Sequence, residues 1–130
     1  MSAELSETGC YQMLRRLRWS KGAICPFCRQ ERITMHSKLS GTPRRRYLCL
    51  GCRRTFTDLT GTPFARTNLP LGTWFRCLQL IGTGQATSEL ARQLGVKWDT
   101  AARLQRRLEA GLRGPGLVRQ LRDAMGKNRM

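Results

Sequence analysis

The spacing of apolar side chains predicts a short amphipathic helix near the start of the chain. Apolar positions recur three or four residues apart at Cys10, Met13, Leu14 and Leu17. The opposite face is basic, and Gly22 supplies a residue at which this helix can end. The preceding residues 1–9 are polar and acidic, and we expect them to form a frayed start.

The pattern changes to that of short β-strands between residues 25 and 58. Ile33 and Met35 suit one strand and the apolar pair at residues 47–48 a second, with a turn between them at Ser40-Gly41-Thr42-Pro43. The sequence Thr-Phe-Thr at residues 55–57 suits a third strand. A loop from residue 60 to residue 70 then forms a natural boundary between two units.

The second half of the chain has the periodicity of helices separated by glycine. Three apolar faces follow one another: Trp74, Phe75, Leu78 and Ile81, then Leu90, Ala91 and Leu94, then Ala101, Leu104 and Leu108. Breaks fall at residues 82–84, at Gly95, and at Gly111 with residues 114–116. A last short basic helix is predicted from Leu117, Val118, Leu121 and Met125.

Two Cys-x-x-Cys pairs are the strongest chemical signal in the sequence. Cys25 and Cys28 form the first pair, Cys49 and Cys52 form the second, and 20 residues separate the two pairs. This spacing lets each pair form a tight turn, here called a knuckle, so that the two knuckles place four thiolates around one point. It predicts one structural Zn²⁺ with no open coordination position. The metal can supply about 10–16 kcal/mol to a unit too small to fold alone. Two disulfides in a secreted protein, or an iron site, are the alternatives.

The remaining cysteines and the single histidine are not expected to bind the metal. Cys10 and Cys77 fall on apolar helix faces and are predicted to be small core residues. His36 lies in a predicted strand and is surplus to a complete four-sulfur site. Arg29, Arg53 and other arginines beside the knuckles can offset the negative charge of four thiolates on Zn²⁺.

The charge of the chain points to nucleic acid. The formal charge of +16, from 24 Lys and Arg against 8 Asp and Glu, implies a polyanionic partner because each cation that meets a phosphate releases counterions. Double-stranded DNA is the expected partner. No apolar run approaches the roughly 20 residues of a membrane-spanning helix, so we expect no membrane partner. The acidic, polar start resembles no secretory or transit signal, which favours a cytoplasmic, nucleoid-associated protein.

Residues 87–107 carry the pattern of a DNA-binding helix-turn-helix. Thr87 can cap the first helix, and Ala91 is small where the second helix must approach. Gly95 suits the left-handed backbone of the turn, and Val96 is expected in the core. This spacing predicts a recognition helix that starts near residue 98. A helical hairpin that only packs is the alternative interpretation.

The expected DNA contacts combine base-reading and phosphate-binding side chains. On the recognition helix they are Lys97, Trp98, Asp99, Thr100, Arg103, Arg106 and Arg107, with the last two placed to meet phosphates. In the ribbon they are Arg44, Arg45, Arg46, Arg53 and Arg54. Arginines of the first helix are also expected to follow phosphates. For Trp98, a position in the core is an equally good interpretation. For the arginine run at residues 44–46, the alternative to a phosphate contact is a solvated face.

Together these elements predict a small α+β protein in which a four-cysteine zinc ribbon of three short antiparallel strands joins an all-α helix-turn-helix unit. The expected boundaries place an N-terminal amphipathic helix in residues 1–24 and the ribbon in residues 25–60. A linker follows in residues 61–70, the helix-turn-helix unit in residues 71–111, and a basic helix and tail in residues 112–130.

Several stretches resemble the N-terminal part of bacterial insertion-sequence transposases that carry a zinc ribbon ahead of a helix-turn-helix. They are CYQMLRRLRW with GAICPFC, RRRYLCLGCRRTFTDLTGTPF, LPLGTWFRCLQLI, and ELARQLGVKWDTAARLQRRL. The resemblance runs from Cys10 to Leu108. It implies that the four knuckle cysteines bind zinc, and that residues 98–107 help to grip the inverted-repeat ends of the element. A separate acidic-triad nuclease domain performs the chemistry in that family.

Two departures from the family shape the functional expectation. Lys97 stands where the family tends to place a small helix-capping residue, and the chain stops at Met130, so we expect no nuclease domain. Separately, two-metal DNA chemistry needs clustered carboxylates, and the 8 carboxylates here are scattered singly. We therefore expect no enzyme.

The functional expectation is a sequence-specific DNA-binding protein that acts as a transcriptional regulator or recruiting factor. One alternative is a DNA-binding subunit or truncated remnant of a transposase, with a transposase chain as partner. The other is an interaction module whose ribbon binds RNA polymerase or another protein. The sequence leaves the oligomeric state open, and a dimer is compatible with it.

Overall fold

The computed structural model describes residues 6–38, 42–81, 83–113 and 116–127, which fall into two compact units. The first comprises the described residues up to Thr67, and the second those from Asn68 onwards. A three-stranded antiparallel sheet with four clustered cysteines lies in the first unit, and four helices form the second. The predicted α+β class is confirmed. No helix within the described ranges has the length and apolar character to cross a membrane.

Helix α1 (Glu7–Arg18) opens the first unit, earlier than the predicted start near Cys10. The reason is a cap: the Ser6 hydroxyl accepts a hydrogen bond from the Gly9 amide at 3.0 Å. The helix ends at Arg18, with Trp19 as its C-terminal cap, and so stops before Gly22. Its buried side chains are Cys10, Tyr11, Met13 and Leu14.

Strands β1 (Ile33–Lys38), β2 (Arg45–Cys49) and β3 (Thr55–Thr57) form a sheet in the order β1-β2-β3. Tyr47, on the central strand, pairs with Met35 on one side and Phe56 on the other. The C-terminal end of β2 carries Cys49, the first cysteine of the second knuckle. Of the turn predicted at residues 40–43, Ser40 and Gly41 lie outside the described residues.

The second unit consists of α2 (Leu71–Leu80), α3 (Thr87–Leu94), α4 (Trp98–Leu112) and α5 (Leu117–Lys127). Helix α2 contacts the other three, and α4 also packs against α3 and α5. The buried side chains shared among them are Leu71, Trp74, Phe75, Cys77, Leu78, Leu90, Ala91, Ala101, Leu104, Leu108, Val118, Leu121 and Met125. The apolar faces predicted for these helices therefore supply their common core.

The turn between α3 and α4 has the predicted glycine geometry. Gly95 ends α3 with φ of 70°, in the left-handed region that glycine adopts without strain. The Val96 amide donates to the Ala91 carbonyl at 3.1 Å, and the Gly95 amide donates to the Arg92 carbonyl at 3.2 Å. These two bonds are typical of a Schellman helix end. Val96 itself is only half-buried, so its predicted core position is not reached.

Two other local predictions for the helical unit are wrong. Thr87 does not cap α3, because Ala86 occupies the cap position without a side-chain hydrogen bond. The Thr87 hydroxyl instead lies 3.0 Å from the Gln105 side-chain oxygen on α4. Gly111 does not end the unit but lies inside α4. A Cβ at Gly111 would lie 2.6 Å from Cγ2 of Val118, so the missing side chain allows α4 and α5 to approach closely.

Candidate metal centre and nucleic-acid surface

The structure brings the four predicted knuckle cysteines to one point. Their sulfur atoms all lie within 4.8 Å of one another, and the cluster spans both knuckles. The Cys25 and Cys52 sulfurs are 3.7 Å apart, and the Cys28 and Cys49 sulfurs are 3.5 Å apart. Tetrahedral zinc with bonds of about 2.3 Å places its sulfur ligands roughly 3.8 Å apart. The arrangement therefore fits one tetrahedral ion with a complete protein shell.

The two knuckles repeat the same backbone hydrogen bonds. In the first, the Arg29 amide donates to the Cys25 carbonyl at 2.9 Å, and in the second the Arg53 amide donates to the Cys49 carbonyl at the same distance. The first cysteine of each knuckle also accepts an amide hydrogen bond at its sulfur, from the second cysteine, at 3.5 Å. The Cys-x-x-Cys spacing is responsible for this repetition, because it closes the same tight turn twice.

These amide donors favour a thiolate at the first cysteine of each knuckle. Burial raises the pKa of the Cys25 thiol, but the amide donors from Cys28 and Phe27 and the neighbouring thiols outweigh it and bring the pKa down to about 6. The Cys52 amide likewise lowers the pKa of Cys49. Thiolates are the form of cysteine that binds metal. The Gln30 amide lowers the pKa of Cys28, but burial and the neighbouring thiols outweigh it and raise that pKa to about 11.

The other two cysteines and the histidine lie outside the cluster. Burial is the main cause that raises the pKa of Cys10 to about 11 and that of Cys77 to about 12, as in apolar surroundings that disfavour a thiolate. His36 is exposed on β1. None of the six cysteines forms a disulfide here, and the four knuckle sulfurs converge on one point.

Aromatic side chains pack beside the metal site. Tyr47 and Phe56 stack with ring centroids 5.2 Å apart, and Trp19 meets both rings edge-on at 6.3 and 6.0 Å. Cys25 and Cys49 belong to the same buried cluster as these rings. The apolar cluster beside the metal site is therefore small, and two of the metal ligands belong to it.

Asp58 is a structural residue that the sequence did not reveal. Its side chain is fully buried and accepts from the Arg15 guanidinium at 3.1 and 3.0 Å, from the Arg45 amide at 2.9 Å, and from the Tyr47 hydroxyl at 2.6 Å. The Arg18 guanidinium adds a bond to the Asp58 carbonyl at 2.7 Å. One carboxylate thus joins α1, β2 and the loop after β3.

This network corrects the expectation for the basic residues of the first unit. Arg15 and Arg18 were expected to follow phosphates, but both donate to Asp58 and are largely buried. Burial lowers the pKa of Arg18 to about 10. The run at residues 44–46 is partly buried rather than fully solvated. Arg53 and Arg54 are exposed, as DNA contacts need to be.

The outer face of α4 carries the residues predicted to read DNA. Trp98 is 56% exposed, so its alternative placement in the core is wrong. The exposed residues of this face are Lys97, Trp98, Asp99, Arg103 and Arg106, and the partly buried ones are Thr100 and Arg107. Lys97 occupies the N-terminal cap of α4 and makes no side-chain capping bond. The first turn of α4 therefore presents an indole and charged side chains to solvent.

No carboxylate cluster accompanies these surfaces in the part of the chain that the structure describes. Within these described ranges, one group of three or more His, Cys, Asp or Glu side chains is placed to hold a metal. It consists of the four knuckle cysteines. Asp58 is occupied by Arg15, and Glu89 pairs with Arg92 on α3. The described residues therefore show a metal-binding ribbon without a second metal site.

Comparison with known proteins agrees with this description of the first unit. Residues 5–55 match the model of the transposase zinc-ribbon domain. Over 112 residues the chain is 32% identical to "Uncharacterized protein in transposable element ISH50" of Halobacterium salinarum, a match that covers 85% of this chain and 37% of that relative. The chain thus spans little more than a third of the relative's length. No solved structure matches the chain.

The N-terminal unit is therefore similar to transposase zinc ribbons over residues 5–55, which confirms the resemblance predicted from the motifs. The four sulfurs and the ribbon family together define one structural Zn²⁺ as its cofactor. When bound, this ion cross-links the two knuckles and holds β2 against both of them. The fold and the four-cysteine cluster thus describe a zinc-binding module that is similar to the ribbons of transposases.

Proposed function

We propose that this chain binds double-stranded DNA in a sequence-specific manner and that α4 is its recognition helix. The observation that carries the proposal is the outer face of α4, which places an exposed indole and arginines after a turn fixed by Gly95. Helices α3 and α4 pack across this turn, an arrangement typical of the DNA-binding helix-turn-helix. In that motif the start of the second helix contacts base edges in the major groove.

The side chains on α4 suit this role chemically. Arg103 can donate two hydrogen bonds to guanine, and Asp99 can accept one from the cytosine amino group. Neither side chain forms a hydrogen bond or ion pair with another described residue, so no side-chain contact has to be broken on binding. Arg106 lies one turn further along and suits a phosphate. The formal charge of +16 supplies the general attraction to DNA.

Replacing Arg103 tests the assignment of α4. Arg103→Ala is expected to weaken binding to the best site by about 1–3 kcal/mol and to relax the preference at one base pair. On unrelated DNA the loss should be much smaller. The matched control is Arg122→Ala, which removes the same charge from an exposed position on α5. Sites selected from random DNA, with affinities measured by fluorescence anisotropy, give both readouts. Equal effects of the two variants on every sequence would refute a recognition role for α4.

We propose further that the DNA bound is the end of an insertion element. The support is the similarity of residues 5–55 to transposase zinc ribbons and the relative found in a transposable element. A chain with transposase nuclease activity would then be a partner. The competing role is a transcriptional regulator or recruiting factor. A genome-wide map of bound DNA separates them, since enrichment at terminal inverted repeats supports the first role and enrichment at promoters the second.

The chain is proposed to bind DNA without cutting it. The support is that carboxylates of the described residues do not cluster as two-metal catalysis requires. Incubation of the purified protein with its DNA site and Mg²⁺ or Mn²⁺ should leave both strands intact. Nicking that a single Asp or Glu substitution abolishes would overturn this view.

A protein-binding role for the ribbon is the second candidate. It is favoured by exposed apolar side chains: Phe27 is 46% exposed, Met35 46% and Leu50 37%. Contiguous apolar patches are typical of protein interaction sites, and these three side chains are the candidates for such a patch. RNA polymerase or a transposase chain would be the partner. Phe27→Ser should then abolish a complex with that partner and leave DNA affinity unchanged.

A further inference from the structure

Each zinc knuckle ends in an arginine with a left-handed backbone. Arg29 and Arg53 both have φ of 66°, and each directly follows the second cysteine of its knuckle. The hydrogen bond from each arginine amide to the first cysteine carbonyl, at 2.9 Å, accompanies this conformation in both places. The knuckle therefore holds the backbone of this residue in the left-handed conformation. Any residue type at this position has to tolerate that conformation.

Arginine is a costly residue for this conformation. An L-residue with a Cβ is strained in the left-handed region, whereas glycine adopts it freely. Residues in this conformation persist where the surrounding structure holds them, and they cluster at functional sites, so an observed outlier leads to a hypothesis of function. The same residue type at the same strained position in both knuckles calls for an explanation other than folding.

Neither side chain contributes a polar contact to the first unit. Arg29 and Arg53 are exposed, and neither forms a side-chain hydrogen bond, ion pair or ring contact with another described residue. Other arginines of the unit differ: Arg15 pairs with Asp58, and the Arg54 guanidinium lies 5.0 Å from the centre of the Phe27 ring. Arg29 and Arg53 are therefore available to an external anion.

We propose that Arg29 and Arg53 form a pair of phosphate contacts through which the ribbon holds the DNA backbone. The inference rests on the proposed DNA binding and adds Arg29, which the sequence pattern had assigned only to charge compensation. The knuckle sulfurs lie within 4.8 Å of one another, so one rigid centre carries both arginines. Phosphate contacts fix position without reading sequence. The ribbon would thus anchor the DNA that α4 reads.

Substitution by glycine separates this role from folding. In the full zinc-loaded chain, Arg29→Gly and Arg53→Gly should each raise the melting temperature, by roughly 4 °C for each relieved strain. The same variants should weaken binding to all DNA sequences alike. The slope of log affinity against log salt should become shallower by about 0.9 for each lost phosphate contact. Arg29→Lys and Arg53→Lys keep the charge and should keep most of the slope.

Arg66 provides a matched control. It is exposed, has φ of 57°, and lies in the loop after β3, outside both Cys-x-x-Cys segments. Arg66→Gly removes the same charge and relieves the same kind of strain, so it should raise the melting temperature and leave the salt slope nearly unchanged. An equal change of slope for Arg66→Gly would assign the effect to overall charge and overturn the inference.

Two further outcomes overturn the proposal in distinguishable ways. If the glycine variants lower the melting temperature or the zinc affinity and leave the salt slope unchanged, the arginines only offset the thiolate charge. If the wild-type chain binds no DNA under any salt condition, the proposed function fails and this inference fails with it. If the wild-type chain binds DNA and the knuckle variants bind it with the same affinity and salt slope, this inference is refuted and the proposed function stands.

Discussion

At the level of single residues, Asp58 and the knuckle cysteines show what one sequence can and cannot reveal. The metal ligands were predictable because each pair is local, with two residues between its members. Asp58 was not, because its partners Arg15, Arg45 and Tyr47 lie 43, 13 and 11 positions away in the chain. Only the fold brings these groups together. A buried carboxylate with distant partners leaves no periodic or spacing signal.

Neutralising this carboxylate should destabilise the first unit strongly. In Asp58→Asn the largely buried Arg15 charge loses its counter-ion, and the new amide group faces existing donors. Breaking a buried ion pair by removing one partner costs about 3–5 kcal/mol, and we expect a loss in this range. Urea unfolding followed through the Trp19 environment measures it. Asp99→Asn, at an exposed position on α4, is the control and should change stability by no more than about 0.5 kcal/mol.

The helices and strands were predictable wherever one face is buried. The apolar periodicity marked α2, α4 and α5 because their cores are formed by side chains three and four residues apart. The ends of the helices were less predictable than their positions. Ser6 starts α1 earlier than expected, and Ala86 starts α3 without the threonine cap. Gly111 resembled a helix end but serves as a contact point, which depends on the neighbouring helix and not on the local sequence.

For the stability of Gly111→Ala, helix propensity and the packing at Gly111 predict opposite effects. In an exposed helix, glycine to alanine stabilises by about 1 kcal/mol. Here the new methyl group would lie 2.6 Å from Val118 Cγ2, and overpacking of this kind costs typically about 1–3 kcal/mol. Gly111→Ala should therefore destabilise the helical unit. In a Val118→Ala background the cost of the same change should be smaller, because only the Cβ of residue 118 remains, 3.0 Å from the new methyl group. A double-mutant cycle by denaturant unfolding measures this coupling, and stabilisation by Gly111→Ala alone would show that α4 and α5 do not pack as described.

At the scale of the molecule, the two compact units have different sources of stability. The helical unit has an extensive apolar core with aromatic, aliphatic and small side chains from four helices. The core next to the zinc site consists of few residues, and two of these, Cys25 and Cys49, are themselves predicted metal ligands. The division into two units and the metal dependence of one were indicated by the sequence. The boundary after Thr67 and the inclusion of α1 in the ribbon unit depend on tertiary contacts.

Zinc removal should therefore unfold one unit and leave the other intact. Elemental analysis of the purified chain should give about one equivalent of zinc, the number that a single four-thiolate site holds. Three tryptophans report on the two units by NMR: Trp19 lies beside the metal site, and Trp74 and Trp98 lie in the helical unit. On chelation, the Trp19 indole signal should move to its unfolded position, and the signals of the other two should remain. Cys49→Ser should reproduce this pattern without chelator.

The control for this prediction is Cys77→Ala, which removes a buried cysteine of the helical unit and should keep the zinc content unchanged. Structural zinc in small domains supplies about 10–16 kcal/mol of apparent binding energy, which exceeds the total stability of most domains of this size. The zinc-free ribbon should therefore be unfolded outright rather than loosened. A chelated chain that retains its Trp19 signal and the amide dispersion of β1, β2 and β3 would show that the aromatic core and the Asp58 network suffice without metal.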